Sequence, residues 1–324
     1  MVTMPGKSYK GTPPPATLKD KIPGKSTLPS SAAEDKSLSD RLRGHVEHLA
    51  GKIGERNISQ AYKELEAAAD YVEKYLRELG YEVTLQSFEV DGKTVRNIEA
   101  MKRGKALADE IVVIGAHYDS AQDTPGANDN ASGVAGMLEM ARLAKDDAPT
   151  RTVRFLAFVN EEPPYFHTED MGSLHYAKRC KEREENVVAM LSLETIGYYS
   201  DEPGSQKYPA AVRAFYPDEG NFIAFVGNTG SGGLVRRCIR RFRETTSFPS
   251  EGAILPGMIT GVDWSDHWSF WEHGYDGVMI TDTAIFRYPH YHGREDTPDQ
   301  IDYDRTSRVV AGLVNVLRFL ADEK

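Results

Sequence analysis

Cysteine is nearly absent. The 324 residues contain two, Cys180 and Cys238, without CxxC spacing, which argues against a metal knot or a disulfide framework and leaves two buried thiols or at most one bridge. Long apolar runs are missing as well. No stretch reaches about 18 apolar residues, so no transmembrane helix is expected. Met1 to Ser31 has lysines but no apolar core segment, so as written it is not a secretory signal. A mature form without its signal would look the same, and the compartment stays open. Positive charge is also in short supply. A net charge of -10 and a pI near 5.5 argue against nucleic acid as a partner, because phosphate binding needs a basic surface. Part of that acidity would be balanced by bound cations.

Residues 1 to about 35 are rich in Pro, Gly, Ser, Thr and Lys and poor in large apolar residues, as expected of an extended or disordered tail. The rest, 36–324, reads as one domain. Leu42, Val46 and Leu49 mark a helix from Ser39, and Leu65, Val72, Leu76 and Leu79 mark a second that ends at Gly80. Tyr81 to Val90 alternates as a strand, Asp91-Gly92 turns, and Thr94 to Met101 returns. Ile111 to Ala116 is apolar without alternation, as in a central strand covered on both faces. Strands are then expected at 152–159, 187–193, 222–226 and 278–281, and helices at 131–144, 170–183, 234–245 and 303–322. This alternation predicts an α/β fold with a doubly wound, mostly parallel sheet flanked by helices.

In such a sheet, ligands bind beyond the carboxyl ends of the strands. Three strands end there in metal-ligating residue types: His117 with Asp119, Glu161 with Glu162, and Glu194. The loop Gly126-Ala127-Asn128-Asp129-Asn130 adds a carboxylate among residues that tolerate unusual backbone angles. His292 precedes the last helix. Two imidazoles and three carboxylates suit zinc, with cobalt or manganese as substitutes. Adjacent strand residues face opposite ways, so one of Glu161 and Glu162 can hold a metal while the other handles a proton. Strand geometry leaves open which does which.

Taken together, several stretches resemble peptidase family M28, whose members include di-zinc aminopeptidases on a phosphorylase/hydrolase-like α/β sheet. They are Gly54 to Asn57, Gly115 to Ser120, Gly126 to Gly133, Asn160 to Glu162, Leu193 to Tyr198 and His292 to Pro298. The resemblance implies one zinc held by His117, Asp129 and Glu194, and a second by Asp129, Glu162 and His292. It makes Glu161 the general base, Asp119 the acid that orients His117, and Tyr291 a donor to the developing oxyanion. The implied substrate is the amino end of a peptide. Glutaminyl cyclase-like acyl transfer and a non-catalytic, receptor-like role are the alternatives on this fold.

Other residues receive plainer expectations. His290 competes with His292, which is preferred for its spacing to Asp296-Thr297, with Asp296 as its supporting acid. His45, His48, His167, His175 and His273 read as surface or packing residues without partners. Asp266-His267 reads as support of a pocket wall, Trp264, Trp268, Phe270 and Trp271 as packing, and Asp170 as a candidate for binding the substrate amine. The arginines from Arg236 to Arg243 read as a solvated helix face.

Overall fold

Eight strands share one sheet in the computed structural model, which describes residues 32–210 and 212–323. In chain order they are β1 (Glu82–Val90), β2 (Lys93–Lys102), β3 (Leu107–His117), β4 (Arg151–Phe158), β5 (Asn186–Glu194), β6 (Ile223–Gly227), β7 (Ser250–Ile254) and β8 (Gly277–Thr281). Their spatial order is β1-β2-β4-β3-β5-β8-β6-β7. The middle four, β4-β3-β5-β8, run parallel. The hairpin of β1 and β2 joins antiparallel to β4. At the other side β6 runs against β8 and parallel to β7. The sheet is therefore mixed, with its parallel core where expected.

The helices are α1 (Ala32–Val46), α2 (Tyr62–Glu78), α3 (Gly133–Ala144), α4 (Gly172–Glu182), α5 (Gly232–Thr245), α6 (His267–Glu272), α7 (Ala284–Arg287) and α8 (Tyr303–Asp322). Alternate residues of β3 show how they cover the sheet. Val112 and Ile114 pack in the larger core with apolar residues of α1, α2, α3, α5 and α8, whereas Ile111 and Val113 face Tyr176 and Ala177 of α4 and Phe270 of α6. Burial on both faces is why this strand carries no polar alternation. Each such side chain contributes roughly 1.5–3 kcal/mol of hydrophobic stabilisation.

The fold departs from expectation in several places. α1 begins at Ala32 instead of near Ser39, while the rest of the expected tail, residues 1–31, lies outside the described residues. β7 was not anticipated, because Ser250-Glu251-Gly252-Ala253-Ile254 is short, half-polar and at the sheet edge. Nor are all the histidines partnerless: His45 is buried, with Tyr71 Oη at 2.6 Å and Glu139 Oε1 at 3.2 Å, His167 Nε2 lies 3.0 Å from the Asp263 carbonyl, and His273 Nδ1 lies 2.9 Å from the Ser269 carbonyl.

Candidate metal centre

Because β3, β4, β5 and β8 are parallel, their carboxyl ends open on one edge of the sheet. His117 closes β3 and Glu194 closes β5. Beyond β4 the chain turns at Asn160, which takes the left-handed region (φ 59°) that asparagine tolerates, and Glu161 and Glu162 follow. The loop carrying Asp129 arrives from the side and is tied down by its own polar residues. Asn128 Oδ1 accepts from Gly197 N–H at 2.9 Å, Asn130 Nδ2 donates to the Leu193 carbonyl at 2.8 Å, and Ser132 Oγ accepts from Ile196 N–H at 2.9 Å. Gly126 enters the loop at φ 64°, and a Cβ there would lie 2.4 Å from the Asp129 carbonyl, so only glycine fits. The buried guanidinium of Arg56 spans the loop base, donating to the carbonyls of Gly54, Tyr118, Pro125 and Gly126.

Asp129 stands between two clusters. On one side His117 Nε2 lies 3.4 Å from Asp129 Oδ1, 3.3 Å from Glu194 Oε2 and 3.7 Å from Glu161 Oε2. On the other, His292 Nε2 lies 3.1 Å from Asp129 Oδ2 and 3.2 Å from Glu162 Oε2. Donor atoms of His117, Asp129 and Glu194, and again of Asp129, Glu162 and His292, lie within 4.8 Å of one another, close enough to share an ion. A third such group joins His117 to Glu161 and Glu162. Both ring nitrogens of His117, Asp129 Oδ1 and Glu162 Oε1 are buried without a hydrogen-bond partner. Buried polar atoms left in this state are costly unless a cation takes them, so the donor set fits divalent metal well.

The electrostatics agree. Burial pushes Glu161 well above the usual carboxylate range, with Glu194, Glu162 and Asp266 adding to the rise against the pull of His117. Burial and then Asp129 raise Glu162 to about 7. Burial lowers His292, but its bonds to Asp129 and Glu162 prevail and raise it to about 11. Burial would raise Asp129 too, yet the imidazoles of His117 and His292 beside it hold it well below the usual range. Negative charge this dense, in so little water, is what a bound dication neutralises.

Supporting residues complete the site. Asp119 accepts the backbone N–H groups of Glu161 at 3.2 Å and Glu162 at 3.0 Å, with Oδ1 also 3.5 Å from His117 Nδ1. Asp296 does not support His292 as expected. Its two oxygens accept the backbone N–H groups of Asn128 at 2.8 Å and Asp129 at 3.1 Å, and Tyr288 Oη donates to it at 2.8 Å. The Tyr291 ring stacks on His292 with centroids 4.0 Å apart, and Tyr291 lines the cavity over the centre together with Phe166 and Trp264. His290 belongs to neither cluster; its ring packs edge-on against Tyr288. Asp170 is not among the residues lining that cavity.

Two contributors went unread. Ser265 Oγ donates to Glu194 Oε2 at 2.8 Å, and nothing in its local sequence marks it. Asp282, directly after β8, accepts from Asn128 Nδ2 at 3.0 Å and Tyr198 N–H at 2.8 Å. It puts a carboxylate at the end of a fourth strand, the same signal that exposed the other three.

A mixed α/β sheet with a cluster of imidazoles and carboxylates at the carboxyl edge of its parallel strands defines a metallohydrolase type of protein. Residues 97–317 match the sequence profile of peptidase family M28, and the chain belongs to that family. It is 37% identical over 304 residues to the uncharacterized Escherichia coli protein YfbL, covering 91% of this chain and 92% of that one. It is 30% identical over 230 residues to aminopeptidase YwaD of Bacillus subtilis, which covers 69% of this chain but only 44% of that longer protein. Among solved structures the fold matches BSAP, a zinc aminopeptidase from Bacillus subtilis, with a TM-score of 0.71 at 18% identity over 88% of this chain and 95% of that one. It also matches a glutaminyl cyclase of Tannerella forsythia, with a TM-score of 0.63 at 20% identity over 86% and 98% of the two chains.

Proposed function

We propose that this peptidase is an exopeptidase that removes N-terminal residues from peptides, working with two zinc ions for which cobalt or manganese can substitute. The observation that carries the reading is Asp129: its two oxygens face separate clusters, one with His117 and Glu194 and the other with Glu162 and His292. The first cluster would hold one ion and the second the other, with Asp129 common to both. When bound, such ions supply Lewis acidity toward the scissile carbonyl and bring the pKa of water between them toward about 7. The protein's own groups do the rest. Glu161, beside His117 and held by its backbone to Asp119, takes the proton of the attacking water and returns it to the leaving amine. Tyr291 lines both the cavity over the centre and an adjoining apolar cleft, where its hydroxyl can donate to the oxyanion. That cleft receives the side chain of the residue being released.

The cyclase reading needs one ion and an N-terminal glutamine whose free amine folds back onto its own side-chain amide, whereas the shared Asp129 supports two ions and hydrolysis. A non-catalytic role finds no support in a centre where every expected ligand is brought together. The deciding experiment gives the zinc-loaded protein peptides with free, acetylated and N-terminal glutamine ends. Release of free N-terminal residues from the unblocked peptides alone is expected. Pyroglutamate as the main product would transfer the chain to the cyclase reading, and no reaction with any of them would leave neither.

A further inference from the structure

Glu194, Thr281, Ala224 and Glu251 form one continuous row across four strands. Glu194 of β5 is in register with Thr281 of β8, Thr281 with Ala224 of β6, and Ala224 with Glu251 of β7. All four line the same cleft, which encloses about 810 Å³ of empty space including its open mouth. The cleft thus starts at the candidate metal centre and ends at the sheet edge, three strand spacings or about 14 Å away.

Its chemistry changes along that length. The walls between the ends are apolar, built from Phe222, Val226, Leu255 and Met279 with the rings of Tyr208 and Tyr216. Among the described residues the lining holds no lysine, arginine or histidine, and its two acids sit at opposite ends. Glu194 faces His117. Glu251 is partly open to solvent, its side chain 34% exposed, with Arg243 Nη2 at 4.0 Å. Arg243 is itself occupied with Ser250, where Nε donates to Oγ at 3.1 Å and Nη2 to the carbonyl. A carboxylate offers about four acceptor positions, so Glu251 can take a ligand's cationic head in addition to its contacts within the protein. Glu251 shares its face of β7 with Ala253, two residues on, and both line the cleft, so its side chain stands on the cleft side of the sheet.

We infer that the cleft selects peptides whose N-terminal residue is lysine or arginine, the apolar walls covering the aliphatic stem and Glu251 receiving the charged head. This rests on the aminopeptidase reading. The stems of lysine and arginine run along the apolar walls and carry the charged head away from the metal centre toward the Glu251 end of the cleft. A long stem buried against apolar walls, with its head emerging at a half-exposed acid, is the arrangement these side chains adopt at protein surfaces. A leucine or alanine side chain would leave the far half of the cleft unfilled.

The test compares aminomethylcoumarin amides of lysine, arginine, norleucine and leucine on the zinc-loaded full chain, wild type against Glu251→Gln. Norleucine keeps the stem and drops the charge. Lysine and arginine should exceed norleucine in kcat/KM, and Glu251→Gln should cut the lysine to norleucine ratio about 10–100-fold, as loss of one charge-assisted bond would. A wild type that prefers norleucine or leucine, or a ratio the substitution does not move, overturns the inference and leaves the peptidase reading intact. Calorimetric binding of lysinamide against norleucinamide runs alongside and needs no turnover. Tighter binding of lysinamide that depends on Glu251, with no amide hydrolysed, would keep the cleft's preference and discard the peptidase reading. Equal binding of the two amides would overturn the preference.

Discussion

Asp119 Oδ2 accepts the backbone N–H of Glu162 at 3.0 Å, while its other oxygen holds the preceding Glu161 N–H at 3.2 Å. One carboxylate therefore fixes the peptide that carries both adjacent glutamates, in addition to lying 3.5 Å from His117 Nδ1. Asp119 links β3 to the turn after β4, adding a side-chain tie to the backbone pairing of His117 with Phe158 and so helping to set the spacing between the His117 imidazole and the two glutamates.

From this link we predict that Asp119→Asn weakens metal binding about 10–100-fold, the usual cost of losing an outer partner of a metal ligand. The asparagine keeps one acceptor oxygen but turns an NH2 group toward a backbone N–H or the imidazole. Competition with a chelator, read as metal retained per chain, measures it. Metal retention and turnover both equal to wild type would show that Asp119 is only a structural link.

Glu161→Gln separates the proton carrier from the ligands. The amide preserves shape but cannot take the proton of water, so kcat should fall about 10²–10⁴-fold, the range of general-base catalysis. Metal content should stay near that of wild type, because neither shared cluster uses Glu161. A large loss of metal together with kcat would move Glu161 into the ligand set, where its 3.7 Å separation from His117 Nε2 also allows it.

The two C-terminal histidines make an internal control. His292→Ala should remove part of the bound metal, since its Nε2 faces Asp129 and Glu162, and activity should fall with it. His290→Ala should leave metal content alone, because that ring packs on Tyr288 and belongs to neither cluster. Metal analysis of the two variants after identical dialysis decides the matter, and the reverse pattern would mean that the wrong imidazole has been assigned to the centre.

The readable part of this centre consists of residues whose chemistry is out of place for their position. His117 and Glu194 end apolar strands and Glu161-Glu162 closely follow another, where a polar group calls for a reason, and Asp129 sits in a loop too rich in Gly and Asn to be ordinary. The parallel core was legible for the same cause, since β3 and β4 bury both faces. What could not be read depends on tertiary neighbours. Ser265 reaches Glu194 from 71 positions away, and Asp296 holds the Asp129 backbone across 167. The direction of β6 against β8 is equally invisible, because an apolar five-residue strand reads the same either way. Asp282 is the exception that could have been caught, being one more acid at a strand's end.

Outside the centre, a buried group gives a pH-dependent prediction. Glu139 of α3 binds His45 of α1, Tyr75 of α2 and Arg142, joining three helices behind the sheet. Burial would raise its pKa, but the hydrogen bonds from His45, Arg142 and Tyr75 outweigh it and leave the carboxyl below its ordinary 4.5. A depressed folded pKa stabilises the fold above the unfolded value. That contribution is whole above about pH 4.5 and disappears as the pH falls through the folded pKa. Glu139→Gln should therefore cost about 1.5–3 kcal/mol at pH 7, the worth of hydrogen bonds to a charged group, and the gap from wild type should narrow below pH 4.5. Urea unfolding of both proteins between pH 3.5 and 7 measures the difference. A gap that stays constant across that range would show that the loss comes from packing and owes nothing to the charge, because packing does not titrate.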